Sequence, residues 1–269
     1  MTPMNTNKGY IRWEQVTRKW WFFVVLIFIQ ILVPPYASKG VGWENIGELT
    51  GHILQNSIMF SFTKLFPVFQ VIPIALIISI IFFRNRMTRI FSIYAAFSYL
   101  LFAVVQNISI TEEYGFAVLT LNVIMFVFVA AFWFWEAVVG MNDFSVQPRP
   151  LWKYWVVPFA FFTFWFPQNP VTFDPDFNLL YLFTSGSGLT FCMMTPVYLA
   201  VLTIIHPRVN LVTLRVTSLI GLIIGFYNML VNFVFEPELL WWSGVLHIPL
   251  VVLSVYGLVL SLRKSQANY

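Results

Sequence analysis

The chain alternates long apolar runs with short polar punctuation. Eight runs, at 19–36, 58–83, 90–109, 115–139, 152–167, 182–205, 212–235 and 244–262, are apolar over most of their length. A helix needs about 20 apolar residues to cross a hydrocarbon core. Backbone groups in that core find no water, so the helix is the element these runs predict. The expected fold is an all-α integral membrane bundle of about eight transmembrane helices. The segments between the runs are too short for a large soluble domain.

The punctuation also predicts sidedness. Lys8, Arg12, Arg18 and Lys19 precede the first run, and Arg84, Arg86 and Arg89 separate the second and third. Arg149 and Lys153 lie between the fourth and fifth, Arg208 and Arg215 between the sixth and seventh, and Arg263 and Lys264 after the last. With eight spans all of these face one side. Of the 15 Lys and Arg residues, only Lys39 and Lys64 face the other. The opposite segments carry Glu44, Glu48, Glu112, Glu113, Asp174, Asp176, Glu236 and Glu238. Basic loops stay in the cytoplasm, so both termini are expected there, in a multi-pass protein of the plasma membrane. The first run has the basic flank of a signal peptide, but it ends in Val33-Pro34-Pro35-Tyr36, a poor cleavage context, and reads as a retained span. Trp13, Trp20, Trp21, Trp133, Trp135, Trp152 and Trp155 are expected at the inner interface, and Trp43, Trp165, Trp241 and Trp242 at the outer one.

The two halves resemble each other. Lys19-Trp20-Trp21 opens the first run and Lys153-Tyr154-Trp155 the fifth; Pro34 and Pro167 end them. Pro73 in the second run corresponds to Pro196 in the sixth, and Arg89 with Ser92 to Arg215 with Ser218. Acidic turns follow at Glu112-Glu113 and Glu236-Pro237-Glu238, and Asn122 then aligns with His247. The expectation is two parallel four-helix repeats, residues 1–150 and 151–269, within one membrane domain. An even number of spans per repeat gives both the same orientation and puts a site between them.

Composition agrees with this pattern. Of 269 residues, 59% are apolar and 10% charged, and 30 are Phe. Soluble domains carry roughly 25% charged residues. A mean hydropathy of +0.79 leaves too little polar surface for a soluble, disordered or nucleic-acid-binding chain. The isoelectric point near 9.2 reflects the cytoplasmic loops. Cys192 is the one cysteine, which excludes an intramolecular disulfide, a Cys-based zinc site and a Cys-ligated iron–sulfur cluster.

Charged residues inside spans are the usual pointers to function, and here Glu136 is the single carboxylate. It is a candidate for proton coupling, or a carboxylate at the inner interface paired with a basic loop residue. Gln30, Gln70, Gln106, Asn122, Cys192, Asn228, Asn232 and His247 map to the middle or outer half of their runs. Asn228 and Asn232, four apart, would share one helix face. These polar groups are expected either to line a pocket open to the outside or to hold helices together by hydrogen bonds. Glu44, Glu48 and His52 are spaced by four, and His52 with His247 is a weak candidate for a metal or haem site at the outer face. Gly221 and Gly225, with Ser218, form a small-residue stripe suited to helix packing within the chain, as do Ser92, Ala95, Ala96 and Ser98. Pro67, Pro73, Pro158, Pro196 and Pro249 are expected to interrupt helices. Ser185-Gly186-Ser187-Gly188 either brings backbone close to a ligand or makes a flexible helix entry. No nucleophile elbow, zinc-protease helix or phosphate loop is present.

The leading expectation is a permease or carrier for a small uncharged or weakly polar solute, bound by Gln70, Asn122, Asn228, Asn232 and His247, with no cofactor. Its partners would be the lipid bilayer and the solute. One alternative is a membrane-anchoring or assembly subunit of a larger respiratory or transport complex. Another is an intramembrane haem or metal protein, or an enzyme, acting at the outer face.

Overall fold

The computed structural model describes residues 3–146, 148 and 150–263, without the side chains of residues 3–8, 30 and 31. The expectations for the Lys8 and Gln30 side chains, Arg149 and Lys264 therefore lie outside the described residues. The protein is all-α apart from one small sheet. Its helices are α1 (Pro3–Thr17), α2 (Trp20–Leu32), α3 (Ile46–Gln55), α4 (Phe66–Phe83), α5 (Thr88–Leu101) and α6 (Thr120–Val139). They continue as α7 (Val156–Trp165), α8 (Tyr181–Thr184), α9 (Phe191–Ile205), α10 (Leu211–Leu230) and α11 (Pro237–Leu262).

Among the described residues, four helical stretches are long and apolar enough to cross a membrane: Ile58–Gln106, Thr120–Val139, Leu211–Phe235 and Pro237–Leu262. A fifth follows if the bent pair Tyr181–Leu189 and Phe191–Ile205 is one span. The first stretch has 49 residues and folds back on itself. Arg84 breaks it with a positive φ of 53°, and Met59 and Phe66 near its start share a buried cluster with Val105 near its end. Two apolar helices are shorter than a span requires: α2 has 13 residues and α7 has 10.

The sequence predicted one helix over 182–205. Instead, α9 meets the preceding segment at 93°. The Ser-Gly-Ser-Gly run accounts for the break. Its glycines favour helix poorly, and its serine hydroxyls have partners outside a helical path. A strand pair was not expected either. β2 (Ile108–Thr111) and β3 (Gly115–Val118) form an antiparallel hairpin, and β1 (Tyr36–Ala37) pairs with the other edge of β3. Gly115 supplies the positive φ of 67° at its turn. The fourth apolar run therefore starts as strand and turns helical at Thr120.

The most extensive packing joins α10 to α11 and α5 to α6. The small stripe of α10 does meet another helix of the same chain. A Cβ on Gly221 would come within 2.5 Å of Ser254 Oγ, and one on Gly225 within 2.9 Å of Val251. Gly257 of α11 reciprocates against Ser218. Ser92, Ala95, Ala96 and Ser98 are all buried in α5. Close backbone approach replaces the hydrophobic drive that lipid removes. Pro73, Pro196 and Pro249 sit inside helices. Pro67 and Pro158 fall instead in first turns, where the missing N–H costs nothing. Trp133 is not at an interface: it is fully buried and donates to Thr217 Oγ1 at 3.1 Å.

Polar contacts gather the basic segments at one end of the bundle. Arg208 pairs with Asp143 at 3.0 Å, Asn85 donates to Asp143, and Lys153 donates to the His206 carbonyl. Arg18 donates to the Leu262 carbonyl. Burial pushes the Asp143 carboxyl up, but hydrogen bonds from Ser145, Asn85 and Arg208 outweigh it and hold the group below the carboxylate range. Arg215, expected in a loop, is fully buried. It donates to Thr17 Oγ1 and the Ser261 carbonyl, each at 2.6 Å, and pairs with Glu14 at 3.3 Å. It thus clasps α1 to α10 and α11. The acidic segments meet at the other end, where Lys39 donates to the Glu112 carbonyl and His52 approaches Glu113 at 3.6 Å.

Two outcomes follow from the basic end. Arg215→Met should release α1, seen as several-fold faster tryptic cleavage at Arg12 and Arg18 with the bundle otherwise folded. Burial, together with nearby Lys153 and Arg263, lowers the His206 imidazole to about 4, against about 6.5 in an unfolded chain. Between those values the unfolded chain binds a proton that the folded chain does not, so stability is lost as pH falls from about 6.5 to about 4. The thermal midpoint should drop across that window, and His206→Asn should flatten the drop.

Candidate functional site

At the acidic end the bundle encloses a cavity of about 350 Å³. Thr50 and Leu54 of α3 form one wall, and Leu119, Asn122 and Phe126 at the start of α6 form another. Ile224, Tyr227 and Asn228 of α10 and Ser243 and His247 of α11 face them. The 166–193 region closes the cavity with Phe166, Gln168, Phe173, Tyr181, Ser187 and Thr190. Among the described residues no Asp, Glu, Lys or Arg lines it. A second cavity of about 220 Å³ adjoins it, sharing Thr50, Leu119, Asn122, Ile224 and Tyr227.

Local chemistry builds these walls. Gln70 of α4 is fully buried, and its Nε2 lies 2.5 Å from both Ser185 Oγ and Ser187 Oγ. This bond holds the segment before α9 against α4. Gly188 permits the approach, because a Cβ there would collide with the Phe69 carbonyl. Gln168 donates to the Phe173 carbonyl at 2.8 Å and to Ser243 Oγ at 2.6 Å, and Trp242 donates to the Pro167 carbonyl. These bonds hold the loop over the cavity with Phe166 and Phe173 at φ of 52° and 62°. Such values cost a bulky residue energy that the surrounding contacts must offset.

Two π-helical turns set what the helix ends present. Phe102–Gln106 follows α5 and Val231–Phe235 follows α10. Gln106 accepts from the Phe191 backbone N–H at 2.9 Å and lines the cavity. Asn228 lies in α10 and Asn232 in the second π turn. Asn228 reaches the cavity; Asn232 does not line it and is buried with its Nδ2 unpaired.

The floor is aromatic. Phe126 stacks on Phe191 at 4.1 Å and 1°. Below them Tyr99, Tyr198, Trp133 and Phe91 continue ring to ring, with centroids 5.6–5.9 Å apart. This column fills the bundle between the cavity and its basic end.

Of the residues singled out in the sequence, Asn122, Asn228 and His247 line the cavity, as do Gln106 and Cys192. Gln70 lies behind it and supports its wall. Glu136 is elsewhere: fully buried, it accepts from the Asn142 backbone N–H at 2.8 Å and from Asn210 Nδ2 at 2.7 Å, with no basic partner among the described residues. Asn210 in turn caps α10 by accepting from Val212 and Thr213. Glu136 therefore ties the turn after α6 to the start of α10. His52 and His247 bond to different elements. His52 bonds Thr111 of the hairpin, and His247 bonds the Ser243 carbonyl of its own helix. Among the described residues no three His, Cys, Asp or Glu are grouped to hold a metal ion.

No family model, curated protein or solved structure matches this chain.

The lining residues that sequence reasoning missed include seven aromatic ones, Phe60, Phe66, Phe126, Phe166, Phe173, Tyr181 and Tyr227. In a chain with 30 Phe, nothing in the pattern separates a wall residue from a lipid-facing one. Glu136→Gln should cost about 1–3 kcal/mol, because the amide sets a donor against one of two donors. A lowered thermal midpoint would register this. Gly188→Ala should likewise destabilise the protein by forcing the Ser-Gly-Ser-Gly segment off α4.

Proposed function

We propose that the chain is an eight-span plasma-membrane protein with cytoplasmic termini, acting as a permease or carrier for a small uncharged or weakly polar solute. The spans in this reading are α2, 58–83, 88–106, α6, α7 with the turn before it, 181–205, 211–235 and α11. The basic end of the bundle is then cytoplasmic and the cavity opens outward. A two-fold repeat is supported by matching π turns after α5 and α10, and by the parallel dominance of the α5–α6 and α10–α11 pairs.

The observation that carries the reading is the lining. A cavity of about 350 Å³ is walled by aromatic rings, hydroxyls and a few amides, with no Asp, Glu, Lys or Arg among the described residues that line it. Ligand sites are commonly mostly apolar with a few oriented polar groups. An ion would lose hydration here with no counter-charge to replace it. In this reading the aromatic column below the cavity closes the path inward, which supports an outward-open state of an alternating cycle.

Purified protein in proteoliposomes should speed the equilibration of small neutral solutes, read by light-scattering swelling against a panel of polyols, amides and phenols. It should leave their ionised analogues at the rate of empty vesicles. Asn228→Ala should cut this flux by about tenfold, one lost hydrogen bond's worth, with the thermal midpoint nearly unchanged. Asn232→Ala, outside the cavity, should leave the flux of folded protein at wild type. Flux that tracks only stability in both variants would refute the carrier reading.

A further inference from the structure

The hydrogen bonds that the cavity's polar residues already make fix what they have left to offer. Asn228 Nδ2 donates to the Ile224 carbonyl at 2.8 Å. A carbonyl only accepts, so the amide cannot be turned around, and Oδ1 remains as an acceptor. Asn107 Nδ2 donates to the Phe102 carbonyl at 2.7 Å, which leaves its Oδ1 to accept from Asn122 Nδ2 at 2.9 Å. Asn122 Oδ1 is therefore the spare atom. His247 Nδ1 lies 2.6 Å from the Ser243 carbonyl and must carry the proton, so in the neutral ring Nε2 holds the lone pair. Gln106 Oε1 accepts from the Phe191 N–H, leaving Nε2 as a donor.

These four side chains line one cavity. None of the four spare atoms has a hydrogen-bond partner among the described residues, and none is among the sealed-off polar atoms. The amide and imidazole groups thus present three acceptors and one donor whose roles are fixed, while hydroxyls in the lining, such as those of Ser243 and Tyr227, can turn to either role. An occupant that brings acceptors meets repulsion at three points; one that brings donors pairs them. A site built to bond a solute's O–H or N–H discriminates strongly against the analogue lacking it, because its own buried groups are then left unpaired.

We propose that this cavity selects uncharged solutes bearing at least two hydrogen-bond donors on a compact, preferably aromatic, body. The inference deepens the carrier reading by naming its solute class, but the selectivity belongs to the cavity whether or not the solute crosses.

The test uses the full chain in nanodiscs, with resorcinol and 1,3-dimethoxybenzene as probes and benzoate as the charged control. The first two share a ring and differ in whether the oxygens donate. Calorimetry should give saturable resorcinol binding at least about tenfold tighter than the dimethyl ether, and none for benzoate. In Asn228→Leu, which keeps the volume and removes one acceptor, the ratio between the two probes should shrink several-fold while ether binding holds or improves. Because Asn228 also bonds its own helix, Asn122→Leu is the second variant, and its ratio should shrink in the same way. Ether binding as tight as resorcinol, tight benzoate binding, no saturable resorcinol binding, or a ratio unmoved in both variants overturns the proposal. The swelling assay separates this from the carrier reading. Donor-selective binding without flux upholds the site and sinks the carrier, and flux without donor preference does the reverse.

Discussion

An interior polar group in an apolar bundle has no water to turn to, and most of this architecture answers that constraint. Gln70 is matched by two serines from the segment before α9, and Trp133 by Thr217 of α10. Tyr99 of α5 meets Thr195 of α9 at 3.1 Å. Glu136 is matched by Asn142 and Asn210, and Arg215 by Thr17, Ser261 and Glu14. Each pair ties elements that lipid-facing apolar contacts alone would leave free to slide. Individual bonds of this kind contribute only about 0.6–2 kcal/mol. Their weight lies in register, because breaking one leaves both partners unpaired.

The same constraint marks out the cavity. Where an interior polar group is bonded at both oxygens, as Glu136 is, the structure is closed. Where the sequence supplies more hydrogen-bonding capacity than neighbours use, at Gln106, Asn122, Asn228 and His247, the helices part around open space. The walls part there because helix ends, a strand hairpin and a bent segment meet at that end, none of which packs as tightly as the Ser218–Gly257 and Gly221–Ser254 seam. The aromatic column then separates this end from the basic one.

Much of the helical framework was legible in the residues. The apolar runs correspond to helices, Gly221 and Gly225 do lie against another helix of the chain, and most of the polar set is interior. Two misreadings share one cause, the assumption of uninterrupted α-helical periodicity. The run 182–205 bends at the Ser-Gly-Ser-Gly segment, and residues 115–118 pair as a strand because Ser38 and its neighbours offer an edge. Arg215 looked like a loop cation, since the partner that permits its burial lies 201 positions earlier, at Glu14.

By itself, the sequence determined the class of solvent, the number and rough limits of the apolar runs and the uneven distribution of charge. These follow from local composition, because lipid and water act on each segment independently of the others. Only the tertiary structure decided which amides face a cavity, which hydroxyls are consumed in bonding, and where Glu136 and Arg215 end up. A polar atom is spare or spent according to partners from distant segments, and the orientation of an Asn or His follows from the one carbonyl that happens to lie beside it.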